Sequence, residues 1–319
     1  MINDTVLIIG ANGQLGSVLS EELQKIHGKD NVIASDVYLN STFDGVFEII
    51  DATDIKAIEN IVNKYAVNQI YHLAAILSAK GEKNPLRTWD LNISMMLNVF
   101  EVSRTNNVKK VFFPSSIAVF GDKAPLENTP QSAFLNPATV YGMSKAAGEN
   151  WAQYYFNKYG LDVRSIRYPG IIGYQSMPGG GTTDYAVDIY HSAVKQEKYS
   201  CFLNPETKLP MIFMDDAIRS TIELMQAPKE NIKTRTSYNL GSMSFSPNEI
   251  TEEIQKLYPN FKVEYNADFR QEIADKWPKS INDDEARKDW NWKPKYDLKL
   301  MTLVMLEKLE EKYNTTTLK

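Results

Sequence analysis

The sequence predicts an α/β protein built on a doubly wound, mainly parallel β-sheet with helices on both faces. Short apolar, β-branched runs alternate with amphipathic helical segments up to about residue 170, and this alternation is typical of parallel βαβ units. The first apolar run also ends in a glycine-rich turn. After residue 173 the predicted elements become shorter and mixed. We therefore expect a sheet domain at 1–173 and, at 174–319, a small α/β cap with some elements returning to the sheet.

The individual elements follow from periodicity, because apolar residues recur every three or four positions in amphipathic helices and form short runs in buried strands. In the first part, strands are predicted at 6–9, 31–35, 46–50, 69–73, 110–114 and 162–168. The helices between them are predicted at 14–26, 55–67, 86–106 and 141–159. In the second part, helices are predicted at 215–225, 247–257, 283–290 and 298–312, with a strand at 237–240.

Composition excludes several functional classes. The net charge is −5 with no basic stripe, which argues against a nucleic-acid partner. No apolar stretch approaches membrane-spanning length and the N-terminus lacks a basic leader, so neither a membrane partner nor secretion is expected. One cysteine and three histidines at 27, 72 and 191 cannot supply a thiolate-rich zinc site. The sequence therefore predicts a protein without a metal. It also predicts a cytoplasmic protein, since the single cysteine, Cys201, cannot form an internal disulfide.

A glycine-rich loop joins the first strand to the first helix. Gly10, Gly13 and Gly16 permit a tight turn and let the backbone approach a pyrophosphate, while the helix N-terminus supplies N–H groups. The predicted cofactor contacts in this loop are Gly10, Asn12, Gly13, Gln14, Leu15 and Gly16. The alternative is a structural βα turn that needs glycine only for its backbone shape.

Asp36 extends this interpretation, because it ends the second strand twenty residues after Gly16. A carboxylate at this position accepts hydrogen bonds from ribose hydroxyls and repels a 2′-phosphate. The following residues, Val37, Tyr38 and Leu39, offer no cation for such a phosphate. The sequence thus favours NAD over NADP, although a strand-end aspartate can also simply cap a turn.

Tyr141 and Lys145 are spaced i and i+4 on a predicted helix and therefore share one face. A free tyrosine has a pKa of about 10, and a nearby ammonium, together with the positively charged oxidised nicotinamide, is expected to lower the pKa of Tyr141. The phenolate then serves as general base for a substrate alcohol. Ser115 and Ser116 lie at the end of the strand that precedes this helix. Alternatively, the Tyr–Lys spacing is a chance match and the Ser115–Ser116 pair forms a strand-end turn.

Taken in this order, the glycine loop, Ser116, Tyr141 and Lys145 resemble the extended short-chain dehydrogenase/reductase family. The resemblance implies a Rossmann fold, a Ser116 hydroxyl that binds the substrate oxygen and stabilises its charge, and a Lys145 that holds the nicotinamide ribose. It also implies cofactor contacts from Asp51, Ala52, Leu73, Ala74, Ala75, Asn92, Tyr141, Lys145, Tyr168, Pro169 and Ile171. For Asn92, an ordinary helix-face asparagine is the alternative. His72 is predicted to pack at a strand end, and Arg167 to form a structural ion pair.

The substrate prediction depends on loops outside these motifs. Pro169-Gly170 stands where most sugar-nucleotide members of the family carry Phe-Asn, and with the segment 180–185 it is similar to the members that oxidise L-threonine. The implied substrate contacts are Ser78, Ser115, Ser116, Tyr141, Gly180, Thr182, Thr183 and Trp277. For Ser78 and the threonines an unliganded polar loop is the alternative, and for Trp277 a packing role. A nucleotide-sugar epimerase or reductase, and a non-catalytic dinucleotide sensor, also remain open.

The family resemblance further implies a homodimer in which helices 86–106 and 141–159 of two subunits form a four-helix bundle. The apolar residues that fit such a face are Trp89, Ile93, Met96, Leu97 and Phe100. They fit burial against the sheet equally well.

Overall fold

The computed structural model describes residues 4–177 and 179–317 of the chain. Its strands are β1 (Val6–Ile9), β2 (Val32–Asp36), β3 (Val46–Ile49), β4 (Gln69–His72), β5 (Lys110–Ser116), β6 (Asp162–Tyr168), β7 (Gly170–Ile172), β8 (Tyr199–Cys201), β9 (Leu209–Phe213), β10 (Tyr238–Asn239), β11 (Met243–Phe245) and β12 (Val263–Tyr265). Its helices are α1 (Gln14–His27), α2 (Ile55–Lys64), α3 (Ser78–Gly81), α4 (Pro85–Thr105), α5 (Val140–Tyr159), α6 (Tyr185–Val194), α7 (Met214–Gln226), α8 (Pro247–Gln255), α9 (Arg270–Ala274), α10 (Asp284–Trp290) and α11 (Leu298–Thr317).

A seven-stranded sheet with the order β10-β6-β5-β4-β1-β2-β3 forms the centre of the molecule. All of its neighbouring strands run parallel, so the predicted fold class is confirmed. The chain steps outward from β1 to β3 and then returns to place β4 on the other side of β1. Ligands of open α/β sheets bind at the carboxyl ends of the strands beside such a reversal. The topology therefore places the candidate site at the carboxyl ends of β1 and β4.

Alternation along β1 separates two halves of the core, because successive side chains of a strand face opposite sides of the sheet. Val6 and Ile8 pack with α1, α7 and the tryptophans near the C-terminal end of α10. Leu7 and Ile9 pack with α2, α4 and α5. Helices thus cover both faces, as a doubly wound sheet requires.

The chain after β6 builds a second layer and also contributes to the first. β7, β9 and β11 form one small sheet, and β8 pairs with β12 in another. α6, α8 and α11 pack around them in a third core cluster. In contrast, β10 returns to the central sheet and pairs with β6.

Several elements were not predicted from the sequence, namely α3, which lies between β4 and α4, and the later elements β7, α6, β8, β9, β11, β12 and α9. The strands among them have only three to five residues, too few to show a period of two. Helix α6 is buried on most of its surface, so its sequence lacks the polar stripe that identifies an amphipathic helix.

Part of the predicted dimer face lies in the core instead. Met96 and Phe100 are 1% and 0% exposed and pack against the central sheet. Ile93 and Leu97 are half-buried beside the same cluster, whereas Trp89 remains 38% exposed. In the parts of the chain that the structure describes, no helix is long and apolar enough to cross a bilayer.

Candidate active site

A cleft of about 280 Å³ lies at the carboxyl ends of the central strands, where the topology places it. It brings together most of the residues predicted for cofactor, catalysis and substrate. From the predicted set it is lined by Gly10, Gly13, Gln14, Leu15, Gly16, Leu73, Ala75, Ser78, Ser115, Ser116, Tyr141, Lys145, Tyr168, Pro169, Ile171, Thr182, Thr183 and Trp277.

The glycine loop forms one end of the cleft and fits a dinucleotide phosphate. Gly10 has a φ of +92°, and a β-carbon there would lie 2.6 Å from the amide nitrogen of Ala74. Glycine is therefore required both by the backbone conformation and by the close approach of the loop after β4. Gly13 caps α1 without a side-chain hydrogen bond, and the first turn of α1 carries no acid. The backbone N–H groups of this first turn are therefore available to bind an anion.

Asp36 lies beside this loop and is held in place by two backbone amides. Its Oδ2 accepts a 3.0 Å hydrogen bond from the Asn12 N–H, and its Oδ1 accepts one of 2.8 Å from Val37. The Asn12 side chain in turn donates to the Tyr38 carbonyl at 2.8 Å. Val37, Tyr38 and Leu39 are exposed and uncharged. This arrangement fits an adenosine ribose with free hydroxyls and disfavours a 2′-phosphate.

Other residues predicted to contact the cofactor lie outside the cleft lining, namely Asn12, Asp36, Asp51, Ala52, Ala74 and Asn92, as does Gly180 from the predicted substrate set. Asp51 is exposed and accepts hydrogen bonds from the Thr53 amide and hydroxyl at 2.9 and 2.8 Å. Asn92 bonds both the amide and the carbonyl of Ile76, at 2.9 and 3.1 Å. Asn92 therefore holds the loop after β4 in place through the Ile76 backbone.

Ser116, Tyr141 and Lys145 meet in the middle of the cleft. Ser116 is the last residue of β5, and its hydroxyl accepts a hydrogen bond from the Ala118 amide at 3.2 Å. Tyr141 lies in the first turn of α5, which is capped by the Thr139 side chain. The Lys145 ammonium lies 4.6 Å from the ring centre of Phe113 and 5.5 Å from that of Tyr141. The two helix residues share one face, as their spacing predicts.

Burial determines the acid–base properties of this group in the cofactor-free protein. Burial raises the pKa of Tyr141 to about 12, with a partial offset from the Ser116 hydroxyl. Burial also lowers the pKa of Lys145 to about 7. In the cofactor-free protein, loss of hydration thus dominates the pKa of Tyr141. The lower pKa expected from the sequence involves the oxidised nicotinamide as well as Lys145, and it stays a prediction for the NAD-bound protein.

His72 and Arg167 have the structural positions that were predicted for them. His72 is 2% exposed and stacks on Phe113, and burial, with a smaller contribution from Lys145, lowers its pKa to about 3. It is thus neutral and packs. Arg167 forms a buried ion pair with Glu149 at 2.7 Å. The Ser115 hydroxyl donates to the same Glu149 at 2.5 Å, so the structure directs this hydroxyl to Glu149 rather than to a substrate.

The far end of the cleft is polar. Among the described residues, the Thr182 hydroxyl and the Trp277 indole nitrogen are buried without a hydrogen-bond partner, and both residues line the cleft. Trp277 also packs in the third core cluster, which is the alternative role predicted for it, while its substrate contact stays a prediction. The Asp184 carboxylate accepts 2.7 Å hydrogen bonds from the Gly180 and Gly181 amides. Burial raises the pKa of Asp184 against these bonds.

Six lining residues were missed by the sequence interpretation, namely Leu77, Pro114, Ile117, Gly170, Gly181 and Asp184. Each is next to a predicted residue, so extending each motif by one position would have found them. Gly170 has a specific reason to be glycine, since a β-carbon there would lie 2.7 Å from the Thr183 methyl and 2.4 Å from the Met211 sulfur. The Pro169-Gly170 departure therefore lets Thr183 pack over this strand.

Comparisons with known proteins agree with this geometry. The family model "NAD dependent epimerase/dehydratase family" matches residues 6–241. An uncharacterised epimerase/dehydratase of Staphylococcus haemolyticus is 45% identical over 97% of this chain and 98% of its own.

Two solved structures are also similar. The holo form of a GalE-like L-threonine dehydrogenase from Cupriavidus necator is 49% identical, with a TM-score of 0.95, over 96% of this chain and 99% of its own. The apo form of a monomeric L-threonine 3-dehydrogenase from a metagenome is 50% identical, with a TM-score of 0.94, over the same shares. The chain therefore belongs to the NAD dependent epimerase/dehydratase family, the extended short-chain dehydrogenases/reductases, and its cofactor is NAD.

Proposed function

We propose that the protein oxidises L-threonine at its secondary alcohol with NAD, giving 2-amino-3-oxobutanoate and NADH. The observation that carries this proposal is the similarity to two L-threonine dehydrogenase structures, at 49% and 50% identity over 96% of the chain. The cleft supports it independently. It has a hydroxyl, a phenol and an ammonium in its middle and two polar groups without a partner among the described residues at its far end.

The proposed chemistry assigns one step to each of three side chains. Tyr141 takes the proton from the threonine hydroxyl as general base, and the Ser116 hydroxyl donates a hydrogen bond to the same oxygen. Lys145 holds the nicotinamide ribose hydroxyls. NAD, when bound, supplies the acceptor for the hydride. With a pKa of about 12 before cofactor binding, Tyr141 needs added positive charge, which a protonated Lys145 and the oxidised nicotinamide provide.

The charges of the cleft favour a small amino acid over a nucleoside diphosphate. Among the described residues that line it, Lys145 and Asp184 are the charged ones, and none is an arginine. A diphosphate is usually bound by several cations, and Arg is the preferred residue for bidentate recognition. An ammonium instead suits Asp184, while the Thr182 hydroxyl and Trp277 indole can donate to a carboxylate.

The assay that tests the proposal follows NADH absorbance with L-threonine, with a UDP-sugar and with neither. NADH is expected with threonine alone. The UDP-sugar sample is also analysed for epimerised sugar, because an epimerase regenerates its cofactor and shows no net NADH. Sugar turnover without threonine oxidation would establish the epimerase alternative. NAD binding without turnover of either substrate would establish the dinucleotide sensor.

Replacing Asp36 by Ser is expected to relax the preference for NAD. The change removes the carboxylate that the Asn12 and Val37 amides hold, and with it the repulsion of a 2′-phosphate. We expect the ratio of kcat/KM for NAD to that for NADP to fall at least about tenfold, the effect of ~1.4 kcal/mol. Steady-state kinetics with both cofactors measure it. An unchanged ratio would exclude the ribose role.

We also propose that the protein is a homodimer formed through α4 and α5, which pack against each other. Their outer surface exposes large apolar side chains, namely Leu86, Trp89, Met143, Trp151, Tyr154 and Tyr159. The Tyr154 ring contacts those of both Trp151 and Tyr159, and exposed apolar patches mark interaction sites.

Replacing Trp151 by Glu at this surface is expected to give monomers in light scattering, because a charge at the core of an interface is left without a partner. Leu303→Glu is the matched control, since Leu303 is 42% exposed on α11, away from α4 and α5. It is expected to leave the dimer intact. A monomeric wild type, like the metagenomic relative, would overturn the dimer proposal.

We place the enzyme in the cytoplasm. Its single cysteine, Cys201, is buried and free, so the fold does not depend on a disulfide and is suited to a reducing compartment. Cell fractionation tests this location, and recovery outside the cytoplasmic fraction would contradict it.

A further inference from the structure

The catalytic face of α5 continues one turn beyond the residues that line the cleft. Tyr141, Lys145 and Glu149 follow each other at intervals of four and therefore form one stripe. Tyr141 and Lys145 face the cleft, whereas Glu149 is 1% exposed and lies deeper in the protein. A carboxylate so fully buried is rare unless it is paired.

Glu149 is bound from two neighbouring strands. Its Oε1 accepts from the Ser115 hydroxyl at 2.5 Å and from the Arg167 Nε at 2.9 Å, and its Oε2 accepts from the Arg167 Nη2 at 2.7 Å. This bidentate, charge-assisted geometry is directional as well as strong. Ser115 precedes Ser116 on β5, and Arg167 precedes Tyr168 on β6. One carboxylate thus joins α5 to both strands at the level of the candidate active site.

The network continues from Arg167 into the segment between β5 and α5 and onto β10 of the central sheet. The Arg167 Nη1 donates to the Gln131 carbonyl and to the Asn239 side chain, both at 3.0 Å. Asn239 lies on β10, and its side-chain amide donates to the Thr129 and Asn282 carbonyls, each at 3.1 Å. The Arg167 guanidinium thus donates four hydrogen bonds, two to Glu149, one to Gln131 and one to Asn239.

A network of this kind is poorly explained as a source of stability. Hydrophobic replacements of buried ion pairs are often as stable as the pair itself, because both charges lose their hydration. What such a pair provides is a unique arrangement of the elements that carry it. Here those elements are the helix of Tyr141 and the strands that end at Ser116 and Tyr168.

We propose that Glu149 is a positioning residue for hydride transfer. It fixes the rotation and axial position of helix α5 relative to strand β5. The Tyr141 phenol and the Ser116 hydroxyl can then both hydrogen-bond to the same substrate oxygen. The proposal rests on the proposed function, since it assigns those two groups to one alcohol. Displacements of about 1 Å in such a geometry cost roughly 10²-fold in rate.

Three variants separate positioning from general stability. Glu149→Gln keeps the shape but leaves Arg167 without its counter-charge. Ser115→Ala removes only the hydrogen bond to β5 and preserves the ion pair, so it remains informative if Glu149→Gln folds poorly. Asp162→Asn is the matched control, because Asp162 is 3% exposed and pairs with Arg164 and Arg235, at 2.8 and 2.6 Å, at the opposite end of β6.

Activity is measured on NAD-saturated enzyme at a temperature at which circular dichroism shows each variant to be folded. Glu149→Gln is expected to lose roughly 10²-fold in kcat, with the dissociation constant for NAD little changed. The kcat of Ser115→Ala is also expected to fall, but by a smaller factor than that of Glu149→Gln. Asp162→Asn is expected to melt at a lower temperature and to keep its kcat. Equal kcat in Glu149→Gln and the wild type, or an equal loss in Asp162→Asn, would overturn the proposal.

A second readout needs no substrate and so separates this inference from the proposed function. Hydrogen exchange of the NAD-bound protein is expected to rise at 114–120 and 140–146 in Glu149→Gln, and not in Asp162→Asn. Unchanged exchange in these segments would refute the positioning role. A wild type that makes no NADH from threonine would refute the proposed function instead.

Discussion

Tyr141→Phe is expected to abolish threonine oxidation while NAD binding survives. The change removes the phenolic oxygen and little else, since the ring remains to pack beside Lys145, whose ammonium lies 5.5 Å from its centre. General acid–base catalysis contributes about 10²–10⁴-fold to an enzyme's rate, so kcat should fall by a factor within or above this range. Stopped-flow or steady-state NADH absorbance measures the loss, and titration calorimetry measures NAD affinity.

Tyr174→Phe is a suitable control for this experiment. Tyr174 is half-buried beside the third core cluster and does not line the cleft, so its loss of a hydroxyl should leave kcat unchanged. A Tyr141→Phe enzyme with wild-type turnover would show that another group removes the proton. Loss of NAD binding would show instead that the phenol is needed to form the cofactor site.

Lys145→Met is expected to stabilise the cofactor-free protein while it removes activity. Burial lowers the pKa of Lys145 from 10.5 to about 7, so the unfolded chain binds more protons than the folded one between these values. Stability of the wild type therefore rises with pH across this window and falls as pH drops toward 7. Methionine carries no such charge, so the variant should be more stable than the wild type by on the order of 4 kcal/mol at pH 7, with a smaller gain as the pH approaches 10.5.

Urea unfolding at several pH values tests this stability difference, and NADH production tests the activity. We expect kcat to fall at least about 10²-fold, the loss typical of one preorganised electrostatic contact. Lys56→Met, on the exposed surface of α2, is the control and should change neither quantity. A variant no more stable than the wild type at pH 7 would contradict the burial cost assigned to Lys145.

The central sheet and its motifs could be predicted because their signals are local. The turn at Gly10 needs a residue that tolerates positive φ, and Asp36 follows a strand whose apolar run is easily recognised. Tyr141 and Lys145 share a face for reasons of helix geometry alone. Each of these inferences depends on residues within about one element of each other, so the three-dimensional arrangement adds precision without changing them.

The remaining features depend on partners that are distant in sequence. Whether the Ser115 hydroxyl faces a substrate or Glu149 is decided by a residue 34 positions later. The pKa of Tyr141 follows from how much water the folded protein excludes, which no spacing reveals. Met96 and Phe100 have the pattern of a dimer face and of a core face alike, and only the position of the sheet selects the core.

The return of β10 to the central sheet limits how the chain can be recombined. A cut at residue 173 would remove the strand that pairs with β6 and the Asn239 side chain that accepts from Arg167. A chimaera that exchanges everything after that point must therefore import a strand and an acceptor that match its host. Grafting single loops, such as the one that carries Thr182 and Thr183, avoids this requirement. The substrate range of this fold is thus better engineered by exchanging single loops than by exchanging the whole segment after residue 173.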